Sequence, residues 1–194
     1  MVAALRAELD GAFESANVPV LYCGVGKVNA AIALTRELAR YATNGAPVPQ
    51  VVNFGSAGSR RFPAGELVEC HEFIQRDMNV SGLGFPPGVT PFDDAPGCLS
   101  FARVFEHLPT AICGSGDSFA TADTALECEV DGRSCAVVDM EAYALAKACR
   151  LAGAPFCCAK YVSDGADHAA ASDWQQNVHR AADQFLGLYQ RLAR

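Results

Sequence analysis

Short apolar runs alternate with helix-period stretches along the whole chain. Val18-Pro19-Val20-Leu21-Tyr22-Cys23 reads as a buried strand. Gln50-Val51-Val52-Asn53-Phe54 reads as another, entered past Pro47 and Pro49 and ending in Gly55-Ser56-Ala57-Gly58. Between them, a helix follows Gly24-Val25-Gly26-Lys27, with Val28, Ile32, Thr35, Leu38, Ala39 and Ala42 marking its apolar face. Residues 66–75 form a further extended segment, ahead of a Gly- and Pro-rich loop over 81–97. Ala136-Val137-Val138-Asp139 is a strand running into a helix over about 141–152, and 156–162 is a strand entered past Gly153 and Pro155. Ser172-Asp173-Trp174-Gln175 has the capping-box pattern, and Val178, Ala182, Phe185, Tyr189 and Leu192 follow at helical spacing. One continuous C-terminal helix is expected there. Strands alternating with helices, without repeat or linker, predict a single α/β domain over residues 1–194 with a mostly parallel or mixed sheet. Ligands of such sheets sit beyond the carboxyl ends of strands. The polar residues at those ends are therefore the candidates.

Composition narrows the function classes. The chain has 194 residues, 51% apolar and 19% charged, which excludes disorder as its main state. Its 15 Lys+Arg against 22 Asp+Glu give a net charge of −7, a poor basis for neutralising phosphates, so no nucleic-acid partner is expected. No apolar run approaches the roughly 18–20 residues of a spanning helix. Arg6, Glu8 and Asp10 interrupt any signal-peptide core, so a soluble, cytoplasmic protein without a membrane partner is expected. The nine cysteines are odd in number, lack a CxxC pair and often lie in apolar runs, as reduced structural thiols do. The four histidines are scattered without HExxH, and no metal or cofactor is expected.

Four strand ends carry candidate chemistry. The small residues 55–58 let backbone N–H groups approach a ligand, or simply make an ordinary turn. Gly24-Val25-Gly26-Lys27 is not a P-loop: Leu21 stands where the first Gly belongs and Val28 replaces Ser/Thr. Val138-Asp139-Met140-Glu141-Ala142 delivers two carboxylates where a helix begins, suited either to capping or to gripping sugar hydroxyls. Asp164, between Ser163 and Gly165 at the mouth of an apolar strand, is placed either for an Asx-type turn or to be held protonated as an acid. Asp167 and His168 read as solvated turn residues.

Together these segments resemble the purine nucleoside phosphorylase superfamily, specifically its methylthioadenosine/S-adenosylhomocysteine nucleosidase branch. Ala4 to Glu8 looks like the family's A-x-x-x-E, and Gly24-Val25-Gly26-Lys27-Val28-Asn29-Ala30-Ala31 is similar to its G-x-G-K-x-x-A-A. Asn53-Phe54-Gly55-Ser56-Ala57-Gly58 matches N-x-G-S-A-G, and Ser115-Gly116-Asp117-Ser118-Phe119 matches S-G-D-x-F. Val138-Asp139-Met140-Glu141-Ala142 matches V-x-M-E-x, and Ser163-Asp164-Gly165-Ala166-Asp167 matches S-D-x-A-D. Six motifs in order cover nearly the whole chain.

The resemblance implies a three-layer fold with a central mixed sheet flanked by helices, and hydrolysis of an adenine-type nucleoside. It makes Glu8 the group that activates water and Asp164 the acid that protonates purine N7. Met140 and Glu141 would hold the ribose, Phe119 would stack on the base, and Ser56, Gly58 and Ser163 would line the substrate site. The alternatives are a phosphorolytic relative, for which Arg60 and Arg61 are displaced and Glu8 would repel phosphate, and an inactive nucleoside-binding module. Lys160 stands where a basic residue often precedes the S-D pair, and Ala120 replaces a larger apolar residue after Phe119, loosening the base pocket. The loop over 76–96 exposes Leu83, Phe85 and Phe92; the resemblance places Leu83 and Phe85 in the 5′ pocket of a neighbouring subunit, and a homodimer is expected.

Overall fold

The computed structural model describes residues 1–124, 129–130 and 132–192. Its strands are β1 (Val2–Ala3), β2 (Leu21–Tyr22), β3 (Val51–Gly58), β4 (Leu67–Gln75), β5 (Cys98–Ser100), β6 (Thr110–Ser115), β7 (Glu129–Val130), β8 (Arg133–Ser134), β9 (Val137–Asp139) and β10 (Phe156–Asp164). The helices are α1 (Ala12–Ser15), α2 (Lys27–Thr43), α3 (Ala142–Ala152), α4 (Ala170–Asn177) and α5 (Ala182–Leu192), with 3-10 turns at Arg6–Glu8 and Ser81–Leu83. The mixed sheet runs β10-β4-β6-β9-β3-β1-β2, and β10 also pairs with β3 in parallel. The sheet thus curls back on itself through β3, β10, β4, β6 and β9. The ring closes at a bridge between Gly58 and Val138. Helices cover it, as the α/β pattern predicts.

Every residue of β10 is buried, because both faces meet packed layers; its side chains are apolar except at Lys160, Ser163 and Asp164. On one face lies a core built from α2, α3, Phe73 and Phe156. On the other, Phe54 stacks on Phe185 at 4.8 Å, and Phe13 and Phe105 complete the cluster.

Three expectations need correction. Residues 18–23 yield only a two-residue strand, since Pro19 has no N–H to give a ladder. In α2 the buried stripe is Ala30, Leu34 and Leu38, while Val28 and Ile32 are 67% and 54% exposed. Alanines at 30, 31, 33, 39 and 42 make the pattern nearly uniform round this helix, so packing against α3 chooses the face. The predicted C-terminal helix is two helices, and Ser172 does not cap either. Asp167 Oδ1 instead accepts from Ala169 N at the start of α4. Trp174 on α4 reaches Ser56, and Phe185 on α5 stacks on Phe54.

Candidate active site

The carboxyl ends of β3, β9 and β10 open into one cavity of about 200 Å³. Glu8, Ser56, Gly58, Phe119, Met140, Glu141, Ser163 and Asp164, all singled out in the sequence, lie on its wall. Leu83 and Phe85 do not. Leu83 is 72% exposed, and Phe85 packs edge-on against Phe92 at 5.4 Å instead.

Glu8 ends the 3-10 turn that follows β1, and its spacing from Ala4 has a physical reason. Its Oε2 accepts from Ala4 N (3.1 Å) and Leu5 N (3.0 Å), closing the turn on its own side chain. Its Oε1 accepts from Ser56 N (2.8 Å) and Ser56 Oγ (2.9 Å) on β3. The Ser56 hydroxyl in turn accepts from Trp174 Nε1 at 3.1 Å. Trp174, on α4, reaches the cavity wall and was read in the sequence only as part of a capping pattern. The available signal was a lone Trp in a polar run ten residues after Asp164.

The two carboxylates after β9 divide their work. Asp139 is the cap: its Oδ2 accepts from Ala142 N (2.9 Å), and Ser115 Oγ donates to its Oδ1 (2.5 Å). Glu141 turns to the cavity and accepts from Gly26 N at 2.8 Å. Burial, then repulsion from Asp139, pushes the Glu141 carboxyl up to about 8. Lys160 pairs with Asp139 at 2.8 Å; that cation holds Asp139 below the usual carboxylate range against its own burial.

Asp164 ends β10 with 2% of its surface exposed. It accepts from Ser163 Oγ (2.7 Å) and Ala166 N (3.0 Å), yet burial outweighs both and raises its pKa. Asp167 and Asp173 push the same way. Gly58 is what lets this carboxyl stand here: a Cβ on it would lie 2.7 Å from Asp164 Oδ1.

The glycine-rich loop and the S-G-D segment clamp one another at the rim. Lys27 N donates to Asp117 Oδ1 (2.7 Å), and Lys27 Nζ bridges Asp77 (2.5 Å) and Asp117 (3.1 Å). This fixes Gly26 beneath Glu141 and positions the segment that carries Phe119. Arg76, which the sequence places at the start of a loop, joins the wall; its terminal nitrogen donates to Ser118, while its Nε is buried without a partner among the described residues. Arg60 is engaged elsewhere, donating to the carbonyls of Thr121, Ala122, Thr124 and Ala166.

The cavity wall therefore joins hydrogen-bonded carboxylates with Asp164, a carboxyl whose pKa burial raises. Comparison with known proteins places that arrangement. Residues 11–194 match the model of the phosphorylase superfamily. A 5′-methylthioadenosine/S-adenosylhomocysteine nucleosidase of Exiguobacterium is 30% identical over 188 residues, covering 89% of this chain and 78% of its own. The Marinomonas protein of the same name is 28% identical over 187 residues, with coverage of 89% and 79%. Among solved structures, futalosine hydrolase of Helicobacter pylori superposes with TM-score 0.82 at 20% identity, covering 97% of this chain and 94% of that one. The H. pylori methylthioadenosine/S-adenosylhomocysteine nucleosidase gives 0.80, also at 20% identity, covering 98% and 96%. The chain belongs to the phosphorylase superfamily, within its methylthioadenosine/S-adenosylhomocysteine nucleosidase branch.

Proposed function

We propose that the protein hydrolyses the N-glycosidic bond of an adenine-type nucleoside, of the methylthioadenosine or S-adenosylhomocysteine kind, to free base and ribose moiety. One observation carries this: a single cavity is lined by a buried carboxyl of raised pKa, Asp164, together with Glu8 and Glu141. Asp164 gives its proton to purine N7 as the C1′–N9 bond breaks, so the base leaves neutral. Glu8 accepts a proton from the water that forms the new C1′–O bond, and solvent exchange resets both carboxyls. Glu141 binds the sugar hydroxyls, Met140 packs on the sugar, and Phe119 stacks on the base. Carboxylates facing the sugar favour its cationic transition state. The names of the relatives at 28–30% identity support the same assignment.

Phosphorolysis is the second reading, and Arg76 on the wall is the observation in its favour. A nucleoside panel assayed for free base, with and without phosphate, decides. The expected result is base release from adenine-type ribonucleosides at a rate that phosphate leaves unchanged. Phosphate dependence overturns hydrolysis, and ligand binding without base release leaves the inactive module.

The assembly we propose is a homodimer, in the cytoplasm, with Leu83 and Phe85 lining the partner's 5′ pocket. Its support is apolar surface beside the cavity: Val25, Val28 and Ile32 are 42%, 67% and 54% exposed. Phe85→Asp should weaken association in sedimentation and impair turnover together. A strict monomer, or a fully active monomeric variant, removes the shared-site idea.

A further inference from the structure

Lys160 lies on β10 four residues before Asp164, in the midst of buried apolar neighbours, and is 2% exposed. It is not on the cavity wall. A buried ammonium is costly, and an ion pair at this depth is weak evidence of a stability role alone. Its surroundings suggest another. Asp139, its partner at 2.8 Å, holds the turn that carries Glu141, through Ala142 N and through Ser115. Lys160 Nζ also crowds the Cα of Gly55, 3.2 Å from where a Cβ would sit, while Glu8 Oε1 lies 3.0 Å from the same point. One cation is thus sunk beneath the proposed sugar end among Glu8, from the 3-10 turn, and Asp139 and Glu141, from the junction of β9 and α3.

Carboxylates gathered in a dry site suppress each other's ionisation unless a cation offsets them. We propose that Lys160 is a positioning residue of the reaction: with Asp139 it forms a buried charge balance that decides whether Glu141 is ionised. This rests on the assignment of Glu141 as the sugar-holding group. Lys160 from β10 attracts charge onto Glu141, Asp139 from β9 and Glu8 from the 3-10 turn repel it, and Gly26 N donates to it. The thiol of Cys23, after β2, faces Glu141 as well, and those of Cys113 and Cys158 face Lys160. Because Glu141 titrates near 8, a change in either member of the pair alters its charge within the working pH range.

The two members act on Glu141 with opposite sign, which a purely structural pair would not do. The test is the pH profile of kcat/KM for a ribonucleoside, from about pH 5.5 to 9.5, with thermal melts of each variant. Lys160→Met should move the acid-side limb up by about one unit or more, and Asp139→Asn should move it down by a similar amount. Lys160→Arg should keep the wild-type limb. The double variant Lys160→Met/Asp139→Asn, which leaves no unpaired charge, should fall between the singles. If Lys160→Met does not fold, the limb of Asp139→Asn must still lie below that of the double variant. Rate losses with an unmoved limb, or limbs moving in the same direction, overturn the proposal. A wild-type limb in Glu141→Gln would instead show that Glu141 itself was wrongly assigned, and this inference would fall with it.

Discussion

Two regions of the cavity wall treat a carboxyl group in different ways. At the proposed sugar end, Glu8 takes four hydrogen bonds, from Ala4 N, Leu5 N, Ser56 N and Ser56 Oγ. Asp139 has a cation, a hydroxyl and a backbone N–H, and is held ionised. At the proposed base end, Asp164 has two donors, but burial and the like charges of Asp167 and Asp173 outweigh them and raise its pKa. In the proposed reaction the sugar end holds negative charge against a forming cation, whereas the base end gives a proton away. Hydrogen-bond supply and local charge separate the two roles among chemically equal groups. Glu141 departs from its neighbours at the sugar end: it has one backbone donor, and burial with repulsion from Asp139 pushes its pKa up to about 8.

The sharpest break of this comparison is at Asp164. Asp164→Asn should cut base release by at least about a hundredfold with modest effect on binding, because only the transition state needs the proton. Unchanged turnover there, beside an inactive Asp167→Asn, would move the acid to the other carboxyl.

Glu141→Gln tests the opposite end. It should weaken ribonucleosides about tenfold more than their 2′-deoxy analogues, since the charge-assisted bond to a hydroxyl is lost only where the hydroxyl exists. Equal losses would leave Glu141 no part in holding the sugar.

A smaller effect is expected at Trp174, whose indole N–H orients Ser56 towards Glu8. Trp174→Phe should lower kcat/KM by about fivefold, near the worth of one hydrogen bond. A change in association constant with kcat/KM intact would make Trp174 a surface residue rather than part of the wall.

Stability gives the mildest test, and its sign follows from Glu141. The unfolded chain releases this proton near the ordinary value of 4.5, and the folded chain only near 8. Between those values the folded state binds the extra proton, so this group makes stability fall as pH rises through the window. Glu141→Gln should melt with wild type at pH 5 and roughly 5 °C above it at pH 8.5. Parallel melting curves would mean that Glu141 is ionised in the fold at neutral pH.

The sequence by itself determined the α/β class, the strand ends that bear the chemistry, and most of the cavity wall. It could do so because strand runs and turn glycines are local signals, and because the motifs place Glu8, Ser56, Glu141 and Asp164 at strand ends that any such sheet gathers. It could not say which of Asp139 and Glu141 caps α3, because both spacings permit it and only the approach of Lys160 and Gly26 divides them. The buried stripe of α2, the break between α4 and α5, and the arrival of Trp174 and Arg76 at the cavity were likewise decided by packing. Periodicity reports that a helix has an apolar side, but the neighbour it meets selects which side is used. The proton on a carboxyl is set the same way, by burial and by charges brought from distant parts of the chain, and neither exists until the sheet closes.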